Sequence, residues 1–475
     1  RYHVHTSFLT QWGWFDSFGL DGMSLGGWDG EFCGWQVWRL AAGKRGALLH
    51  EAMVRHPGAS FRRIAENRAR RVQFGRFLRN SKVTVAEMAR TAGLATGLRC
   101  QGRDIAVIQD TSEVALGAWA KEAGYGPVGK GGATRGFLVH AAIAVDSAGA
   151  LLGLADMQIW TRQGGAKKQD RNRAFTQKES RRWLSSAEAV AERLAGARQI
   201  TLVADAESDI YELYAGLPPG VHILSRMGHE RRLMSGLLLS ETLQNMAPAG
   251  LITRDIPAAP GRSKRTARLE LRFGPVVLKA PADLPRKTTP QSLELYALEV
   301  REIEAPAKAT PVQWTLLTSH RLETIERAAE ILDLYRGRFL IEQMFRTLKT
   351  AGFDIEDASL AEPSAMLTFA GLATIAAVSI LQLVKARDGG SGQLTEDCFD
   401  ADDKPLLKAL SRKLEGKTQK LKNPHPPDDL AFASWVIARL GGWDCYYGKP
   451  GPQTMRYGLE RYHAIKLGVN IAKDV

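Results

Sequence analysis

At 475 residues the chain is too long for one hydrophobic core, so two or three domains, or one domain with large insertions, are expected. Hydrophobic (44%) and charged (24%) content exclude a disordered or fibrous chain, and four scattered cysteines (Cys33, Cys100, Cys398, Cys445) with no C-x-x-C pair exclude a disulfide scaffold and leave a reducing cytosol as the default. Lys and Arg number 64 against 51 Asp and Glu, and a net charge of +13 points to a polyanionic partner, nucleic acid or an anionic membrane face.

The predicted elements begin after a leader, residues 1–38, that holds five of the eleven tryptophans among seven glycines and shows no sustained period. The chain starts at Arg1 rather than at a methionine, and Met23 offers an alternative start. Residues 39–100 read as helical and basic. Pro57-Gly58 breaks the pattern, and Ser60 caps a predicted helix (FRRIAENRARRVQFGRFLRN) whose seven arginines, Arg62 and Arg63 among them, back an apolar face. Residues 104–110 (DIAVIQD) form a short apolar strand ending on an acid, and residues 137–145 and 151–159 read as further strands of an antiparallel set. A helix over 179–197 leads to a second apolar strand ending on an acid, residues 199–205 (QITLVAD), and a helix over 209–215. Residues 221–305, with alternating stretches 267–273 and 293–300, read as an inserted antiparallel β domain. A strand over 314–318 and a long helical stretch over 322–350 follow, and the chain beyond 386 is helical and basic. Residues 365–384 alone reach the length of a membrane-spanning helix, but their Thr, Gly, Ser and Gln content fits a buried helix better.

The positive charge is concentrated. Windows 39–82, 162–182, 254–272 and 404–422 carry +10, +6, +4 and +6, so the rest of the chain is net negative. Basic runs are often only solvated faces, but four of them suggest a multi-point track for a phosphate backbone.

Asp110 and Asp205 each end an apolar strand, the edge at which open α/β sheets bind ligands. Strand-end aspartates also serve as caps of the following helix. Joined by a third acid they would make a hard oxygen site for Mg²⁺ or Mn²⁺, suited to in-line phosphoryl displacement. Glu342 is the candidate: Tyr335, Arg338, Glu342, Arg346 and Lys349 share one face of the predicted helix, a poor core stripe but a sensible one beside a phosphate backbone. An exposed ion-pair ladder is the alternative.

The spacing Y-x2-R-x3-E-x6-K at Tyr335, Arg338, Glu342 and Lys349 resembles the signature of DDE transposases of the insertion-sequence-four family, which includes the transposon-five transposase. Asp110 in IQDTS, Asp205 in VADAESD, Glu179, Ser180 and Trp183 of KESRRW, and RLGG at 439–442 extend the likeness over residues 40–460. The gaps agree as well, 95 residues from Asp110 to Asp205 and 137 from there to Glu342. The resemblance implies an RNase H-like mixed-sheet catalytic core, residues 101–220 and 306–385, interrupted by the β domain and flanked by an end-binding region, 39–100, and a C-terminal region, 386–475. It implies a metal-binding catalytic triad of Asp110, Asp205 and Glu342 with Mg²⁺, or Mn²⁺ in its place. Tyr335, Arg338 and Lys349 would contact DNA phosphate, as would Arg346 and Arg226 more loosely. Trp314 would stack on a flipped base, or simply serve as a strand core residue.

The partners implied are double-stranded DNA, as inverted-repeat transposon ends and as target, and a second copy in a homodimeric paired-end complex. A cytoplasmic, nucleoid-associated bacterial location without a membrane is expected. Residues 431–440 (AFASWVIARL) are a candidate dimer helix that would pack equally well in its own core. The Trp/Gly leader and LAAGKR at 40–45 replace the family's Leu-Gly-Asp-x-Arg stretch, which puts end recognition in question. Two alternatives follow: a non-catalytic DNA-binding regulator or inhibitor, and an RNase H-like nuclease that cuts without joining.

Overall fold

The computed structural model describes residues 49, 52–53, 64–65, 67–162, 174–258, 263–285, 287–307, 309–351, 353–360 and 362–473. The leader, Ser60, Arg62 and Arg63 lie outside them. The first complete helix is α1 (Arg68–Leu78), where Asn67 accepts the Arg70 N–H as N-cap. Thr84 caps α2 (Val85–Arg99) in the same way through the Glu87 N–H.

Ten strands then build one mixed sheet: β1 (Asp104–Leu116), β2 (Gly126–Val128), β3 (Thr134–Asp146), β4 (Leu151–Trp160), β5 (Gln199–Ala204), β6 (Val221–Arg226), β7 (Gly250–Ile256), β8 (Arg265–Lys279), β9 (Ser292–Ile303) and β10 (Gln313–Thr318). The order is β2-β3-β1-β5-β6-β10-β9-β8-β7, with β4 also on β3. Strands β4, β3 and β1 run antiparallel, β5 and β6 continue parallel to β1, and β10 to β7 are antiparallel. An α/β architecture is therefore present. The strands expected as an inserted β domain do not form a sheet of their own. Through β10, strands β9, β8 and β7 extend the central sheet.

Helices cover both faces. Alternate residues of β1 divide between two cores, Ala106, Ile108 and Val114 on one side and Ile105 and Val107 on the other. The first side holds α1, α6 (Ile325–Arg336), α7 (Phe339–Arg346), α8 (Pro363–Ala386) and α10 (Leu430–Leu440). The second holds α3 (Arg181–Arg193), α4 (Tyr211–Ala215) and α5 (Leu239–Asn245). Helix α2 crosses α3 closely because Gly97 has no side chain: a Cβ there would lie 2.1 Å from the Arg193 oxygen.

Helix α8 is the apolar stretch long enough to cross a membrane, and 89% of its most apolar window is buried inside the protein. The candidate dimer helix is α10, and its residues Ala431 to Ala438 and Leu440 are buried in the core. Its faces are taken by α8, by α9 (Lys404–Leu414) and by α11 (Pro452–Lys473), where Gly458 lets the backbones meet. On α11, Tyr457, Leu467 and Ile471 are exposed.

Candidate active site

Asp110 does not end its strand. Strand β1 runs on to Leu116 because β3 pairs with it from Ile105 to Leu116, whereas the parallel pairing with β5 stops at Ile108. The carboxylate thus stands just beyond the carboxyl end of the parallel ladder. Asp205 directly follows β5, where its Oδ1 accepts the Glu207 N–H (2.9 Å) and caps the 3₁₀ turn Ala206–Ser208. Asp205 thus stands at the sheet edge and caps this short turn, while α4 begins after Ile210 without a side-chain cap.

The loop that carries Asp205 is pinned from behind. Ser208 Oγ and Ser225 Oγ, from the loop and from β6, lie 2.6 Å apart, and both reach the Asp205 carbonyl. The fully buried Asp209 carboxylate accepts the N–H groups of Gly228 and His229, the Tyr214 hydroxyl and the Arg231 guanidinium (2.5 Å). A buried carboxylate with that many donors locks the loops after β5 and β6 together.

The stretch 322–350 is two helices. Helix α6 ends at Arg336, the chain tightens at Gly337–Arg338 through i→i+3 bonds, and α7 is followed by the π-helical turn Thr347–Ala351. The break separates the four signature residues, and Arg346 with them, that were expected on one helix face. Tyr335 is buried on α6, where its ring packs edge-on to Trp314 (5.3 Å between centroids). Arg338 points back at the sheet, with Nη1 3.4 Å from Asp110 Oδ2 and Nη2 2.5 Å from Glu342 Oε1. One guanidinium thereby bridges β1 and α7. Lys349, re-aimed by the π turn, donates to the Glu113 main-chain oxygen and lies 3.9 Å from Glu356. Arg346 is exposed and takes no part in the cluster.

The electrostatics follow from burial. Asp110 is 15% exposed, and its pKa is pushed up to about 7, first by desolvation and then by the charge of Asp205; the Thr111 N–H and Arg338 pull it back. Burial works against the Arg338 charge, but Tyr335, Asp110, Glu342 and Asp205 outweigh it and raise its pKa. Burial also raises the Tyr335 phenol, against the nearby charges of Arg338 and Arg226. Asp110, Asp205, Glu342, Tyr335, Arg338, Trp314 and Arg226 are therefore neighbours at one sheet edge.

The opposite face carries a second network that spacing alone did not single out. Thr111 Oγ1 accepts Arg182 Nε–H (2.8 Å) and is hydrogen-bonded to His140 Nδ1 (2.9 Å). His140 is fully buried against Trp183, and Arg182 lies over Trp160 and Trp183 with Nη2 at Glu207 (3.1 Å). The proximity of Arg182 to Trp183 in KESRRW was the available signal. Beside it Arg162 joins Glu179 and Glu113.

The basic windows fare unevenly. In the third, Arg254, Arg265, Arg268 and Arg272 are each paired with an acid, while Arg262 lies outside the described residues. On α1, Arg68, Arg71 and Arg76 are exposed and have no acidic partner among the described residues.

Among the described residues no three His, Cys, Asp or Glu side chains stand together as a ready metal cluster. Glu342 instead pairs with Arg338. The donor set itself suits a hard divalent cation: two carboxylates from adjacent strands, one of them buried and reluctant to ionise without a positive partner. No protein-family model matches the chain.

Proposed function

We propose that this protein is a DDE-type cut-and-paste DNA transposase with an RNase H-like core. The observation that carries the reading is that one guanidinium, Arg338, joins Asp110 to Glu342 across 228 and four residues of chain, while the charge of Asp205 acts on the same Asp110 carboxyl. The strand order β4-β3-β1-β5-β6 supports the RNase H-like assignment: three antiparallel strands continued by two parallel ones, with the acids on β1 and after β5.

Asp110 and Asp205 would hold the cation, Mg²⁺ or Mn²⁺, with Glu342 completing the set once it leaves Arg338. Such an ion supplies activation of an attacking oxygen and stabilisation of a leaving oxygen at phosphorus. The chain's own groups do the positioning. Arg338 neutralises the carboxylates before the ion arrives and, on release, offers a two-pronged donor to a DNA phosphate. Tyr335, packed against Trp314, fixes the start of that arginine's turn. The half-buried Trp314 ring offers a stacking face to an unpaired base. Arg226 and Lys349 flank the edge, where a DNA strand carries its charge past them. The products are cut transposon ends, formed through a hairpin, and 3′-OH ends joined to target DNA.

One observation favours the non-catalytic alternative: the Arg338 guanidinium occupies the gap between Asp110 and Glu342. A strand-transfer assay with pre-cut ends and Mg²⁺ decides among the readings. Joined product is expected; cutting without joining would indicate a nuclease, and binding with neither would indicate a regulator.

A further inference from the structure

Beyond Asp110, β1 continues for six residues, and Glu113 on it is a junction. Its Oε2 accepts the Gly129 N–H (2.6 Å), its Oε1 pairs with Arg162 Nη1 (2.7 Å), and its main-chain oxygen accepts Lys349 Nζ. The loop so held, residues 129–133 (GKGGA), joins β2 to β3. Gly129, Gly131 and Gly132 have φ of 76°, 71° and 75°, a region side chains disfavour. The loop therefore presents bare backbone, with open space around Gly131. Lys130 at its tip is exposed and has no acid or hydrogen-bond partner among the described residues. The nearest carboxylate in the chain of contacts, Glu113, is already engaged by Gly129 and Arg162.

The Gly129 N–H goes to Glu113 and the Gly132 N–H to the Gly129 carbonyl, which leaves the N–H groups of Lys130 and Gly131, beside a cation with no acidic partner among the described residues, for an anion to approach. A hairpin turn needs glycines at positive φ, but it has no need of an unpaired lysine. Glu113 ties the loop to Lys349, which meets its main-chain oxygen while Gly129 meets its carboxylate.

We infer that residues 129–133, with Lys130, form a seat for a DNA phosphate, held by Glu113 three residues along β1 from Asp110. The ligand class, a nucleic-acid phosphodiester, rests on the transposase reading. The test is fluorescence anisotropy of the full chain on duplex DNA in chelator, from about 50 to about 200 mM salt. Lys130→Glu is expected to bind about tenfold more weakly, with a log–log salt slope shallower by about 1, the signature of one lost phosphate contact. Lys130→Arg should match wild type, and so should Lys385→Glu at the exposed end of α8. If Lys130→Glu keeps wild-type affinity and slope, the loop is only a hairpin turn and the seat is refuted while the transposase reading stands. If wild type itself binds no DNA, that reading falls and the seat falls with it.

Discussion

Replacing Asp110 with Asn should stabilise the folded protein while abolishing its chemistry, and the gain should depend on pH. The carboxyl is held at about 7 against an ordinary value of 3.8, a net figure in which Arg338 and the Thr111 N–H are already counted. Holding it ionised in the fold therefore costs roughly 4 kcal/mol. Because the folded value is raised, the group's contribution to stability is fully present below about pH 4 and is lost as pH climbs through about 7. Asn cannot ionise and escapes the loss. Urea denaturation in chelator should show Asp110→Asn near wild type around pH 4 and more stable by about 2–4 kcal/mol around pH 8. A gain of equal size at both pH values, or none, would refute the argument that burial and Asp205 strain this carboxylate.

Other outcomes follow from the same geometry. Arg338→Met removes a group that pulls the Asp110 pKa down, so the acid limb of divalent-dependent cleavage should move to higher pH; an unmoved limb in the pH–rate profile would contradict the bridge. Asp209→Ala strands the buried Arg231 and should cost about 3–5 kcal/mol in thermal denaturation, partly recovered by adding Arg231→Met. Gly97→Ala, which on an open helix face would gain about 1 kcal/mol, should instead lose about 1–3 kcal/mol by urea denaturation, because its Cβ would collide with the Arg193 carbonyl.

Much of this framework was legible in the chain because it is local. The apolar runs at 104–109 and 199–204 announce strands, and the four-residue step from Arg338 to Glu342 announces a helical ion pair, which forms. The end of β1 was not legible. Residues 110–116 (DTSEVAL) look polar, and only the long partner β3 keeps them extended. Nor could spacing reveal that Arg338 reaches Asp110, 228 residues away, or that Arg182, Thr111 and His140 form one hydrogen-bonded chain on the other face. A charge window does not show its partners either. At 254–272, Arg254, Arg265, Arg268 and Arg272 pair with Asp333, Glu302, Glu304 and Glu299 from elsewhere in the chain. Residues 431–440 have the composition of a dimer helix and of a core helix alike, and the packing of α8, α9 and α11 around them selects the core.

The central claim is that Asp110, Asp205 and Glu342 form one divalent-dependent phosphoryl-transfer centre. One assay decides it: cleavage of duplex DNA carrying the sequences that flank the coding region, with Mg²⁺ titrated and each acid replaced in turn by Ala. Wild type should cut only with the metal, and each single variant should lose cutting while retaining DNA binding. Wild-type cutting in chelator, or an undiminished rate in any one of the three variants, would contradict the claim.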